Sequence, residues 1–211
     1  MELFLTTFTA LFSVVNPFGA MPVFVTMTEG YPRKEIYQQA LKASFYMIGI
    51  LVLFFFAGSL ILDFFGIRIE DMRIAGGLLI MRSGFSLLNA DNSQNKPLSK
   101  AVEQEGLEKH DISFTPLAMP LLSGPGSIAV IIGIYGKLSG NYLEYFWIVL
   151  SIICVAALTY FILRSAERFT KFLGKGGLAA LSKMMGFIVL SIGIGFIVNG
   201  ILSLAQQIMV K

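Results

Sequence analysis

Three nearly uncharged apolar runs set the fold of this chain: Leu41 to Leu62, Phe146 to Leu163 and Met184 to Ala205. Each comes close to the ~20 residues a helix needs to cross the hydrocarbon core of a bilayer, and Lys42 is the one charge within them. Hydrophobic side chains make up 55% of the residues and charged ones 14%. A soluble domain of this length could not hide that much apolar surface behind its own exterior. The runs are continuous rather than alternating, which excludes a membrane barrel. Helices remain, because they satisfy their own backbone in lipid.

The pattern predicts an all-α polytopic membrane protein with six spans, at about 3–28, 38–62, 72–89, 114–136, 143–164 and 184–207. Residues 1–28 read as a mature span rather than a cleaved signal, since no Lys or Arg precedes the apolar stretch. A polar segment, 91–113, divides the chain into a first unit, 1–90, and a second, 114–211. Glu105 and Lys109 are spaced i,i+4, which suits a short surface helix in that linker. With six spans, Arg33, Lys34, Lys42, the linker lysines and Arg164 through Lys183 share one side. Arg68, Arg73, Lys137 and Lys211 lie on the other. That asymmetry puts the first group in the cytoplasm and both termini outside. Four spans with two re-entrant hairpins would split the same charges almost evenly.

The two units repeat. At a shift of 110, Arg73 falls on Lys183, Gly76 on Gly186 and Asn89 on Asn199. At a shift of 108, Asn16-Pro17 falls on Gly124-Pro125. Three spans per unit is an odd number, so the second unit enters the membrane upside down: a 3+3 inverted repeat with broken helices 1 and 4. Paired interruptions of this kind point to a substrate site between the repeats.

The breaks carry the chemistry. Proline removes a backbone donor and displaces the carbonyl four residues earlier, so Pro17 frees carbonyls near Ser13 and Val14, and Pro125 near Leu121 and Leu122. Each costs several kcal/mol in lipid unless something satisfies it. Gly19, Gly124 and Gly126 let the backbone leave the helix and a ligand come close. Asn16, Ser123 and Ser127 can bond the freed groups. The expected result is two half-helix N-termini near mid-membrane, whose N–H donors suit a carboxylate, beside carbonyls that suit an ammonium. A small zwitterion matches both, within walls that include Met21, Phe24, Met119 and Ile128. Paired proline kinks without a ligand are the plain alternative; their recurrence beside glycine, hydroxyl and amide groups favours a site.

Other candidates are weaker. Asn199, an amide deep in the last span, joins the set, with interhelical hydrogen bonding as its ordinary role. Gly76, Gly77 and Gly84 make one smooth face, and Gly186, Gly193 and Gly195 another, as in helix packing through small residues. Pro22, Pro116 and Pro120 add bends. Arg82 is the strong charge well inside a span, either functional or snorkelling. Phe54, Phe55 and Phe56 read as lipid-facing. Cys154, the single cysteine, reads as packing. His110 lies in the polar linker and reads as solvated. Gly174–Gly177 reads as a basic turn. No Asp or Glu lies inside a span, which fits a coupling ion such as Na⁺, or a proton carried otherwise, better than a buried carboxylate carrier. No cofactor, metal site, catalytic constellation or nucleic-acid partner is indicated.

The motifs VVNPFGAMPVF, RIAGGLL, PLAMPLLSGPGSIAVII and MGF followed by GFIVNGI resemble the MarC family of inner-membrane proteins, end to end and in order. That family is classed with six-span, SnatA-like transporters of small neutral amino acids. The resemblance implies transport of substrates such as glycine or alanine in a bacterial or archaeal cytoplasmic membrane. It points at Asn16, Pro17, Gly19, Gly124, Pro125 and Gly126; Arg82 departs from the apolar residue expected there. The rival readings are a drug or metabolite exporter, which would want an aromatic-lined cavity, and a non-transporting membrane interaction protein. A homo-oligomer is compatible with all three.

Overall fold

The structure is a computed structural model that describes residues 1–89, 111–135, 138 and 141–209. All its regular elements are helical. Helix α1 (Glu2–Val15) and helix α2 (Pro17–Met27) follow each other with Asn16 between them. Helix α3 (Arg33–Phe65) starts after Pro32 and ends at Gly66, whose left-handed φ of 65° lets the Ile67 N–H reach back to the Leu62 carbonyl at 2.9 Å. Helix α4 (Ile69–Leu88) completes the first half. The second half begins with α5 (Ser113–Leu122), then α6 (Pro125–Tyr135), α7 (Tyr142–Arg164), and α8 (Ala166–Met209) with a break at Gly174. The Asn141 side chain caps α7 by accepting from the Leu143 N–H at 3.0 Å.

Four described stretches are long and apolar enough to cross a membrane: Glu2–Met27, Arg33–Gly58, Tyr142–Arg164 and Gly176–Gln207. The pair α5 and α6, bent by 59°, makes a fifth if counted as one span. Residues 72–89, expected as a third span, lie in helix α4, which is not among these stretches: Glu70, Asp71, Arg73 and Arg82 lie in its 20 residues and lower its hydropathy. The exterior is apolar in the manner of a lipid-facing surface, with Phe45, Leu53, Leu60, Phe146, Phe161 and Phe187 exposed.

Three expectations change. The predicted fourth span does not begin as an α-helix. Pro116 and Pro120 hold the residues before them extended, Thr115 at φ −119°, ψ 122° and Met119 at φ −132°, ψ 123°. The chain closes in wider turns, Leu117 N–H to Ile112 carbonyl at 3.2 Å and Ser123 N–H to Ala118 carbonyl at 2.8 Å. Pro22, by contrast, lies inside an uninterrupted α2. The second change is Phe55, which is fully buried against Tyr135 and Tyr145, while Phe56 is exposed. Consecutive helical residues point about 100° apart, so three in a row cannot all face lipid. The third is Gly174–Gly177: only Gly174 leaves the helix, at φ 61°, ψ −179°.

The polar linker and its suggested helix, with His110, lie outside the described residues. The linker's last residues are docked on α3. Lys42 Nζ donates to Asp111 at 2.7 Å, and the buried Ile112 N–H donates to Gln39 Oε1 at 3.2 Å.

Helices α4 and α8 run antiparallel with their backbones close. A Cβ at Gly77 would sit 2.7 Å from the Gly193 carbonyl, one at Gly84 2.9 Å from the Gly186 carbonyl, and one at Gly200 3.1 Å from the Glu70 carbonyl. Small residues thus form the seam, but with two changes: Gly76 faces Ala129 of α6 instead, and Gly200 takes the place of Gly195, around which nothing lies within 4 Å. Most of the remaining contacts come in matched pairs under exchange of the two halves; α1 on α8 and α7 on α8 have no comparable counterpart. Helix α1 packs on α7 as α5 packs on α3; α2 packs on α7 as α6 packs on α3; α4 packs on α6 as α2 packs on α8.

Candidate functional site

The first break is built around Asn16. Its backbone is left-handed, φ 46°, ψ 64°, a conformation an asparagine tolerates better than most residues. Its N–H closes α1 on the Phe12 carbonyl at 3.0 Å, and its own carbonyl opens α2 by accepting from Ala20 at 3.2 Å. Its Oδ1 accepts from the Gly19 N–H at 3.2 Å, a side-chain cap. Pro17 occupies the first helical position, where its missing N–H costs nothing. Gly19 is needed by the cap itself: a Cβ there would lie 2.4 Å from Asn16 Nδ2.

The second break uses different atoms. The Ser127 hydroxyl reaches back across it and donates to the freed Leu122 carbonyl at 3.1 Å. Ile128 is the residue that closes the first turn of α6, on the Gly124 carbonyl at 3.1 Å. The N–H groups of Gly126 and Ser127 lie ahead of that bond, as first-turn donors without intrahelical acceptors. Gly124 has no room for a side chain, since a Cβ would stand 2.6 Å from the Pro120 carbonyl. Ser123 is fully buried, and its hydroxyl has no hydrogen-bond partner.

The two breaks meet. A Cβ on Gly126 would lie 3.2 Å from Val14 Cγ1, in the last turn of α1, and 3.3 Å from Ile80 Cγ1 of α4. Asn16, Pro17, Ser123 and Ser127 are buried; Gly19, Gly124 and Gly126 are half-buried; Pro125 is exposed. Breaks that match in sequence therefore differ in environment, Pro17 buried and Pro125 exposed. Met21 and Ile128, each within about a turn of a break, are buried; Phe24, expected as a wall of the site, is buried at the far end of α2 instead.

Two candidates stand apart. Asn199 is exposed, and its Nδ2 donates to the Gly195 carbonyl of its own helix at 2.8 Å. Arg82 is also exposed, on the outer side of α4. Arg73, read from sequence as one of the charges marking the short loop that leads into the third span, is buried instead. It donates to the Gly133 carbonyl of α6 through Nε at 3.2 Å and Nη2 at 2.9 Å. Its match to Lys183 in the repeat was the available signal. Buried, unpartnered hydroxyls at Thr7 and Thr159, on the packed helices α1 and α7, carried no sequence signal. Among the described residues, no group of three or more His, Cys, Asp or Glu side chains could hold a metal ion.

The arrangement offers first-turn amides, an unspent buried hydroxyl and glycine-walled backbone inside an apolar helical protein. Residues 1–205 match the sequence model of the family described as MarC family integral membrane protein. The chain is 37% identical to a UPF0056 membrane protein of Methanocaldococcus jannaschii over 201 residues, covering 95% of this chain and 97% of the relative. It is 36% identical to the UPF0056 membrane protein YvbG of Bacillus subtilis, covering 92% of each. It is 35% identical to the UPF0056 inner membrane protein MarC of Escherichia coli, covering 93% of this chain and 92% of that one. No solved structure matches it. With the family pattern running through both breaks and nearly the whole length, the chain belongs to the MarC family of integral membrane proteins.

Proposed function

We propose that this protein is a secondary transporter of small neutral amino acids, glycine- or alanine-like, bound at mid-membrane between the two broken helices. The observation that carries the reading is the meeting of the breaks: Gly126, at the start of α6, abuts Val14, in the last turn of α1. Around that contact, the amides of Gly126 and Ser127 and the Ser123 hydroxyl supply donors for a carboxylate. The Ser13 carbonyl, deprived of its usual donor by Pro17, is an acceptor for an ammonium. Asn16, Pro17, Gly19, Gly124 and Pro125 shape the backbone that presents them. Asn199 has no part in this site.

The topology we propose is six spans in a 3+3 inverted repeat, with α4 as the third and both termini outside a bacterial or archaeal inner membrane. Most of the contacts, paired under exchange of halves, support it, as does the antiparallel seam, where Gly77 facing Gly193 answers Gly186 facing Gly84, one residue off the register read from sequence. The unequal exposure of Pro17 and Pro125 suits alternating access. Na⁺ or a proton is the proposed coupling ion, and we read the chain as a carrier rather than an enzyme.

The test is uptake of labelled glycine and alanine into liposomes holding purified protein, with and without Na⁺ and pH gradients. Transport should be lost in Ser123→Leu and Gly126→Leu, whose added bulk fills the meeting point, at undiminished expression. Equal flux in both variants, or no flux of any small neutral amino acid, would overturn the reading.

A further inference from the structure

At the opposite end of α2 from the break lies a cavity of about 500 Å³. It is enclosed by the end of α2, the turn to α3, the first turns of α3, the end of α7 and the start of α8. Its lining holds the apolar side chains of Phe24, Ile36 and Leu163 beside Arg33, Arg164, Arg168 and Lys171 set against Glu29 and Glu167, a net charge of +2.

The charges are not spent on each other. Lys171 pairs with Glu167 at 2.7 Å. Among the described residues, none of the three arginines has a carboxylate within ion-pair distance. Arg164 is held by aromatic groups: its guanidinium lies 4.7 Å over the Tyr37 ring, and Nη1 donates to the Tyr160 hydroxyl at 3.2 Å. That fixes its plane while leaving most of its donors open. Arg33 and Arg168 sit close enough to Glu167 to help Lys171 hold that carboxyl below its usual range.

The position is a membrane surface. The eight residues from Ala166 to Leu173 precede the Gly174 break, and the apolar part of α8 starts at Gly176. In this short stretch Arg168 and Lys171 turn to the cavity, while Phe169 and Phe172 are exposed, Phe172 by 89%. Basic and aromatic residues side by side on a helix at the end of a span are the pattern of a segment lying in the headgroup layer.

We propose that this cavity binds the headgroup of an anionic phospholipid, its phosphodiester held by Arg33, Arg164 and Arg168 and its glycerol and upper chains lying on Phe24, Ile36 and Leu163. Guanidinium forks suit a phosphate oxygen pair. The apolar side chains among the basic ones suit a glycerolipid better than a free, fully hydrated anion, and basic pockets between spans at the membrane surface take such headgroups.

The experiment uses the whole purified protein in neutral detergent, titrated with phosphatidylglycerol, with phosphatidylcholine and with inorganic phosphate, reading thermal stability and lipid retention. Phosphatidylglycerol should raise the melting temperature and phosphatidylcholine should not. Its apparent affinity should fall about fivefold for each arginine removed in Arg33→Gln and Arg168→Gln. Lys34→Gln, a nearby cation outside the cavity, should bind as the parent does. Glu29→Gln should bind more tightly, which a merely damaged protein could not do. Stabilisation by inorganic phosphate equal to that by the lipid, and lost in the same variants, would replace the lipid with a free phosphate ligand. Affinities for phosphatidylglycerol that do not change across the four variants would sink the site.

Discussion

The Arg73 guanidinium, buried in α4, donates twice to the Gly133 carbonyl near the end of α6. That carbonyl lies in the last described turn of α6. The arginine thus ties α4 to α6 and places positive charge at the negative end of a helix dipole. Burying a cation is costly, but a truncated side chain would strip both of these bonds from the carbonyl. Arg73→Met should cost about 2 kcal/mol, and Arg73→Lys about half that, since a single ammonium cannot reproduce the two-pronged contact. Thermal unfolding of the purified variants checks both; a melting temperature equal to the parent's in Arg73→Met would mean the tie contributes nothing.

Gly19 and Asn16 should behave as one unit. The Cβ of Gly19→Ala would collide with the Asn16 amide at 2.4 Å, so the cost, about 1–2 kcal/mol, is that of displacing the cap. Asn16→Gly keeps the left-handed backbone and gives up the cap alone. In that background Gly19→Ala meets no amide and should be neutral or slightly favourable, alanine being the better helix former. A double-mutant cycle measures the coupling; strictly additive losses would show that the glycine serves something else.

Much of this was legible in the sequence, and the failures have particular causes. Proline chemistry located both breaks, and residue type marked Asn16, Ser123 and Ser127 as able to bond the freed backbone; Asn16 and Ser127 do so, while the buried Ser123 hydroxyl bonds none of the described groups. The spacing of Gly186, Gly193 and Gly200, seven residues apart, was there to be read and would have placed Gly200 rather than Gly195 on the seam. Angular spacing alone would likewise have turned one of three adjacent phenylalanines inward. The wide turns of α5 were harder, because two prolines four residues apart can bend a helix or replace it, and neighbouring packing decides. The burial of Arg73 depends on a carbonyl 60 positions away, which no local pattern encodes. Asn199 looked interhelical because an amide in a span must find a partner; its own backbone supplied one.

The seam between α4 and α8 should separate glycines that sound alike in sequence. A Cβ in Gly84→Ala would stand 2.7 Å from the Leu190 backbone nitrogen and 2.9 Å from the Gly186 carbonyl, atoms that cannot move without shifting a helix. About 2 kcal/mol of destabilisation is expected from such overpacking. Gly195→Ala meets nothing within 4 Å and should be neutral or stabilising by up to about 1 kcal/mol. Melting temperatures in one detergent decide the matter, and equal losses at the two positions would contradict the packing described.

The Asp111 contacts make a prediction about acid. Lys42 donates to one carboxylate oxygen at 2.7 Å, and Ser113 donates to the other from both its N–H, at 3.1 Å, and its hydroxyl. Lys42 foremost and Ser113 next pull the Asp111 pKa down to about 2, from an ordinary 3.8. The folded state therefore prefers the ionised form. Its contribution is complete above about pH 4, and it is lost as pH falls through the folded value near 2. The groups are half-exposed, so solvent screens the pair and the effect is modest. Between about pH 4 and pH 2 the melting temperature of Asp111→Asn should fall less steeply than the parent's. The gap between them at neutral pH should close by the acid end. Parallel curves across that window would mean that docking the second half onto α3 does not depend on this carboxylate.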